Sequence, residues 1–208
     1  MKINKRNFKI LILIVFAINF SQSQNRKNRI NNADENGYCI RKRNLSFKNR
    51  ILNFPFNLSS QIILVSYKTK FDIKSEDSIQ FDTEGMQFQK LLNSIKINQD
   101  TIIKNEFLEA IVLNLIQTEK LTDVFFNYGF KSEHYTSSQT KCYDPKNAII
   151  FIDKDNSVIA FIEVCFACNR IRTSNEKVNF GEYCEQKYDL VKQVFNESGI
   201  KYGITERD

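Results

Sequence analysis

Ala148-Ile149-Ile150-Phe151-Ile152-Asp153-Lys154-Asp155-Asn156-Ser157-Val158-Ile159-Ala160-Phe161-Ile162 is the stretch on which the fold turns. Two five-residue apolar runs flank a cluster of turn-forming residues, the signature of a β-hairpin. Neither run alternates polar with apolar. A strand buried on one face would alternate, so both faces must be covered and the hairpin belongs in the middle of a sheet.

Outward from the hairpin, Gln61-Ile62-Ile63-Leu64-Val65-Ser66-Tyr67 is rich in β-branched residues and predicts another strand, entered through Phe54-Pro55-Phe56. Residues 107–115 are ambiguous, and a strand is the preferred reading. Three segments offer cover for the sheet. Residues 85–97 carry Met86, Phe88, Leu91, Leu92 and Ile95 at helical spacing, and residues 117–128 carry Leu121, Val124, Phe125 and Tyr128 with Gly129 as the stop. Residues 182–198 place Cys184, Tyr188, Val191 and Phe195 on one stripe, ending at Gly199. Residues 200–204 could return as an edge strand. The fold class expected is α+β: an antiparallel sheet centred on the 148–167 hairpin, covered by two or three helices including 182–198.

The 208-residue chain holds two Pro and six Gly, with 42% hydrophobic and 26% charged residues, which fits one folded domain and excludes a disordered or collagen-like chain. Abundant Ile, Asn and Lys beside scarce Ala suggest an AT-rich genome and are not read as function. Residues 1–23 have a basic start (Lys2, Lys5, Arg6, Lys9), an apolar run from Ile10 to Phe20 broken only by Asn19, and Ser21-Gln22-Ser23. This is the pattern of a secretory signal peptide, with cleavage expected after Ser23 or one residue later. The run is too short to span a bilayer, which needs about 20 apolar residues.

Removing that leader takes four of the 30 basic residues and none of the 24 acidic ones, so the mature chain has a net charge of +2. Nucleic acid is therefore not an expected partner. Residues 24–60 hold Arg26, Lys27, Arg29, Arg41, Lys42, Arg43, Lys48 and Arg50 against two acids. They are expected to form a basic, partly disordered arm, solvated or in weak contact with an anionic envelope surface, ahead of a single domain over 61–208.

All five cysteines, 39, 142, 165, 168 and 184, follow the leader, and an exported chain predicts disulfides with at least one sulfur left over. With the turn centred near Asp155, facing residues have numbers summing to about 310, which sets Cys142 opposite Cys168. Cys184, in the expected first turn of the last helix, would lie near Cys165. The expectation is therefore a Cys142, Cys165, Cys168, Cys184 neighbourhood: two disulfides (142–168 and 165–184), or a structural zinc site, or a redox dithiol at Cys165 and Cys168, with Cys39 the odd one out. Asn169 stands where covalent haem attachment needs His.

Catalytic machinery is thin. No Gly-rich phosphate loop, H-E-x-x-H or G-x-S-x-G occurs. His134, the single histidine, falls in a polar stretch and reads as an exposed loop residue. Asp153 and Asp155 lack the downstream Gly and Glu of a calcium loop. Glu163 interrupts an apolar strand, so a buried charge is expected there, with Arg170 or Arg172 as partner.

Cys142-Tyr143-Asp144-Pro145-Lys146-Asn147-Ala148-Ile149, Glu163-Val164-Cys165-Phe166-Ala167-Cys168 and Gly181-Glu182-Tyr183-Cys184-Glu185-Gln186-Lys187 together resemble a group of uncharacterised exported bacterial proteins sharing C-[FY]-x-P-[RK]-[NH]-A-I and C-F-x-C segments. The likeness covers about residues 115–204. It implies that these segments form one unit of an exported bacterial protein, periplasmic or secreted, and brings no activity with it. The function expected is a non-catalytic envelope or secreted binding or structural protein stabilised by disulfides, without a cofactor. The alternative is a thiol-redox or zinc-binding protein using the cysteine cluster.

Overall fold

A computed structural model describes residues 37–68, 107–132 and 143–205, together with Leu92 and the short segments 97–98 and 101–102. The leader, the start of the basic segment, His134, Cys142 and nearly all of the expected 85–97 helix lie outside the described residues. Among the described residues no helix is long and apolar enough to cross a membrane.

The element order is β1 (Cys39–Arg41), α1 (Phe47–Arg50), a 3₁₀ turn (Phe56–Leu58), β2 (Gln61–Ser66), β3 (Ile97–Asn98), β4 (Thr101–Ile102), β5 (Glu109–Val112), α2 (Leu115–Asn127), β6 (Tyr128–Phe130), β7 (Asn147–Ile152), β8 (Val158–Cys165), β9 (Arg170–Thr173) and α3 (Lys187–Glu197). Five strands form one sheet in the order β5-β2-β7-β8-β9, every neighbour antiparallel. The chain is an α+β protein centred on the β7–β8 hairpin.

β7 is buried at all six positions, as its unbroken apolar run demands. Facing residues in the hairpin sum to 311 (Asn147 with Val164, Ile150 with Phe161), and a bulge next to Ile152 shifts the register by one. At the turn, Asp153 Oδ1 accepts the backbone N–H groups of Asp155 and Ser157, both at 2.9 Å, and Asn156 takes the left-handed φ of 61°. The two hairpin aspartates thus shape a turn.

One face of the sheet packs Leu64, Ile149, Phe151 and Ile162 against Leu121 and Phe125 of α2 and Val191 and Phe195 of α3. The other face gathers Ile63, Val65, Ile150, Ile152 and Phe161 with Tyr67, Leu92 and Phe107. Asn114 caps α2 through a reciprocal bond with Gln117, which satisfies the orphan donors of its first turn.

Four expectations need correction. Residues 37–60 are packed onto the domain: Arg50 is only 4% exposed, and β1 pairs with β6. α3 starts at Lys187, five residues later than expected. The preceding segment is held instead by β1, Glu185 donating its N–H to the Gly37 carbonyl and Cys39 donating its N–H to Gln186 Oε1. Gly129 lies within β6 and is no helix stop. A Cβ there would come within 2.6 Å of the Glu182 carboxyl carbon, the far end of a flexible side chain that would have to move aside. Residues 201–205 form a turn with an isolated bridge at Tyr202 rather than an edge strand; the edge beyond β8 is β9, from the polar stretch after the cysteines.

Candidate functional site

Glu163 and the cysteines meet at the C-terminal end of β8. Glu163 pairs in the sheet with Ala148 on one side and Arg172 on the other, and is 3% exposed. Its Oε1 accepts the Tyr67 hydroxyl at 2.8 Å, and its Oε2 accepts the Tyr143 hydroxyl at 3.2 Å and Arg172 Nε at 2.6 Å. A second Arg172 nitrogen lies 2.6 Å from the same oxygen, and the guanidinium stacks over the Phe161 ring at 5.3 Å. Arg172, one of the two partners expected for Glu163, is the one used.

Burial first, and the Glu163 charge second, push the Tyr67 and Tyr143 hydroxyls well above the ordinary phenol range. Burial works against the Arg172 charge, yet the bond to Glu163, its charge and Tyr143 together outweigh it and raise Arg172. The result is a carboxylate–guanidinium pair with two neutral phenol donors completing it. Tyr67, Tyr143 and Arg172 all donate to the Glu163 carboxylate, which is how a buried charge is made tolerable. Such an arrangement ties β8 and β9 to the residue after β2 and to the segment before β7.

The cysteines divide differently from expectation. Cys184 is joined to Cys39, Cα to Cα 5.0 Å across 145 residues of sequence, so Cys39 is not the odd sulfur and the 165–184 pairing is overturned. The pairing of β1 with β6 sets Cys39 beside the segment before α3, a long-range contact that no local pattern announces. Cys168 is also disulfide-bonded. Cys142, expected opposite it, is outside the described residues. Cys165 is free and buried; its S–H donates to the Asp144 carbonyl at 3.4 Å, and burial pushes its thiol up. Among the described residues no group of three or more His, Cys, Asp and Glu side chains is placed to hold a metal ion. A four-thiolate zinc site would need Cys168 and Cys184 as thiolates, and in this state both are disulfide sulfurs.

Sequence reasoning missed Lys187. It is fully buried, and its Nζ donates to the carbonyls of Val124, Phe125 and Tyr128 at 2.6, 2.9 and 3.1 Å. The ammonium thereby caps the C-terminal end of α2, where carbonyls lack helical donors and the dipole favours a cation. Burial lowers its pKa to about 7. Its place four residues before Val191, on the apolar stripe of α3, was the available signal. Gly181 (φ 81°) passes this cap so closely that a Cβ would lie 1.7 Å from the Phe125 carbonyl oxygen.

A cleft of about 180 Å³ opens nearby, lined by Lys42, Arg43, Phe125, Phe126, Asn127, Tyr128, Asn179, Gly181 and Glu182. The Lys42–Glu182 ion pair, at 2.6 Å, neutralises charge on its wall. Comparison with known proteins adds no relative: no family model, curated protein or solved structure matches the chain.

Proposed function

We propose that the chain is an exported, non-catalytic binding or structural protein of a bacterial envelope or secretome, held in shape by disulfides. The observation that carries this reading is the Cys39–Cys184 bond, a linkage that persists in oxidising compartments, in a chain opening with a signal-like leader. The polar groups around Glu163 and Lys187 support it as well, because each is engaged with protein partners in a way suited to holding structure. We take Cys142 as the partner of Cys168.

The basic segment fits a supporting role in this reading. Arg41 pairs with Asp123, Lys42 with Glu182 and Arg50 with Asp123, so contact with an anionic envelope surface falls to the remaining cations. The test is a non-reducing peptide map and intact mass of the protein recovered from the envelope and the medium. The expected material begins at Gln24 or Asn25, contains linked Cys39 and Cys184 peptides, and has one alkylatable thiol per chain. Cytosolic protein retaining Met1, with five free thiols, would overturn the reading. A second reading, thiol chemistry at the C-x-x-C, is favoured by one observation: Cys165 is free beside a disulfide-bonded Cys168.

A further inference from the structure

Arg41, Lys42 and Arg43 are consecutive cations that differ in what they touch. Arg41 is bidentate with Asp123, and Lys42 holds Glu182 Oε1 at 2.6 Å with the Phe130 ring 5.0 Å away. Arg43 is exposed, and among the described residues its guanidinium has no partner. Only its backbone N–H is engaged, donating to the Asn127 carbonyl at 3.2 Å. Arg43 lines the cleft of about 180 Å³ at the C-terminal end of α2, and Asn179 lines it too. Asn179 Oδ1 accepts the Gly181 N–H at 2.8 Å, which leaves its amide nitrogen as a second unengaged donor among the described residues. Gly181 is part of the same wall, and Lys187 Nζ lies 3.3 Å from where its Cβ would stand. A second cation thus sits directly behind the cleft.

We propose that this cleft binds a small monocarboxylate, with the Arg43 guanidinium and the Asn179 amide as its donors and the Lys187 ammonium behind Gly181 as electrostatic support. The carbonyl end of a helix repels an anion. Here that end is covered, because Lys187 Nζ takes the Val124, Phe125 and Tyr128 carbonyls and the backbone N–H groups of Lys42 and Arg43 take that of Asn127. Lys42 is spent on Glu182 and Lys187 on the helix end, so one positive charge, that of Arg43, is left to be matched. The Glu182 carboxylate on the same wall raises the cost of a second negative charge, which selects a monoanion over a dianion. A guanidinium fork fits the two oxygens of a carboxylate. The volume is below the about 300 to 1,000 Å³ of sites for drug-sized ligands, so the occupant has only a handful of heavy atoms. Such a site deepens the binding role proposed above and rests on it. The peptide map tests export and linkage, and a titration tests the cleft alone, so each can fail without the other.

The probe is sodium acetate, added to the full chain with its disulfides intact at about pH 6, below the value of about 7 to which Lys187 is lowered. Sodium chloride at matched ionic strength is the reference. Amide ¹H–¹⁵N shifts of Arg43, Asn179, Gly181 and Glu182 are expected to saturate with acetate at a Kd on the order of millimolar, within the ceiling for so small a ligand. Chloride should give no saturating change. Arg43→Gln alters an exposed side chain without a described partner, so it should keep the parent spectrum elsewhere and weaken acetate by about tenfold or more. Lys154→Gln, on the hairpin turn and no part of the cleft, should bind as the parent does. Shifts that stay linear in acetate, an equal response to chloride, or parent-like binding by a folded Arg43→Gln chain would overturn the proposal. Sulfate saturating more tightly than acetate would overturn it as well, since the site would then be one for dianions.

Discussion

The β7–β8 hairpin and the segment 37–60 are both integral to the domain, and they are held by different physics. β7 and β8 bury apolar side chains on both faces of a sheet, at positions their own sequence marks as apolar. In the segment 37–60, Ile51, Phe54 and Phe56 join the apolar core, but residues 37–50 are largely polar and basic and attach chiefly through particular pairs: the Cys39–Cys184 bond, a bidentate Arg41–Asp123 contact at 2.8 Å, and Arg50. Arg50 reaches Thr122 Oγ1, the Leu45 and Glu119 carbonyls and Asp123. A non-directional force spread over many residues holds the one, and a few directional ties hold residues 37–50 of the other. The first tolerates conservative exchange at most positions, whereas the second should fail when single atoms are removed.

The sharpest test of that contrast is the disulfide. Closing a loop of this length stabilises by on the order of 5 kcal/mol in the chain-entropy account. Cys39→Ala and Cys184→Ala should therefore lower Tm alike, by about 10 to 20 °C at the usual scaling for this size, and the double variant no further. Calorimetry of the three proteins decides it. An unchanged Tm for Cys39→Ala would mean that this tie contributes nothing and the contrast collapses.

On the hairpin side, Phe151→Ala should cost about 3 to 5 kcal/mol, read from urea denaturation, because Phe151 is fully buried and stacks edge-on with Phe56 at 5.1 Å. Phe151→Leu should recover most of this. Recovery by Leu is the mark of a core that needs volume more than geometry.

Glu163→Gln probes a directional tie inside the hairpin. It keeps the shape and removes the charge facing Arg172, which is itself 27% exposed and can rehydrate, so the loss should be about 2 to 3 kcal/mol, below the range for a fully buried pair. A matching loss in Arg172→Met, with a strongly non-additive double variant, would identify the pair as the cause.

The last test is the pH dependence. Lys187 has its folded pKa lowered below the ordinary 10.5, so the unfolded chain binds more protons between about pH 7 and pH 10.5 and stability rises with pH across that window. Deprotonation also gives up one of the three bonds to carbonyls, and Lys187→Met should abolish the rise. Tyr67 and Tyr143 are raised; their contribution is complete below about pH 10, the unfolded phenol value, and is lost as pH climbs past it. Denaturant midpoints measured from pH 7 to 11 in the parent, Lys187→Met and Tyr67→Phe chains separate the two.

How much was readable follows the same divide. The hairpin, its register to within one residue, β2, β5, α2 and the C-terminal stop of α3 at Gly199 all rest on signals contained within about ten consecutive residues. Glu163 was legible as a buried charge needing an arginine because its apolar neighbours show the burial and β9 is only a turn away. Tyr67 and Tyr143, its other two partners, were not, since each reaches Glu163 from another strand end.

The sequence by itself determined an α+β domain around an antiparallel hairpin, a chain whose cysteines all follow a signal-like leader, and a charge in the sheet that must be paired. Periodicity, turn chemistry and desolvation act on neighbours, and they need no knowledge of the rest of the chain. Only the tertiary structure decided that Cys39 and not Cys165 meets Cys184, that the basic segment from residue 37 is part of the fold, and that Lys187 caps α2 from inside the core. Each of these depends on where two distant segments come together, and cysteines, arginines and lysines look the same in a sequence whether they end at the surface or at a partner more than fifty residues away.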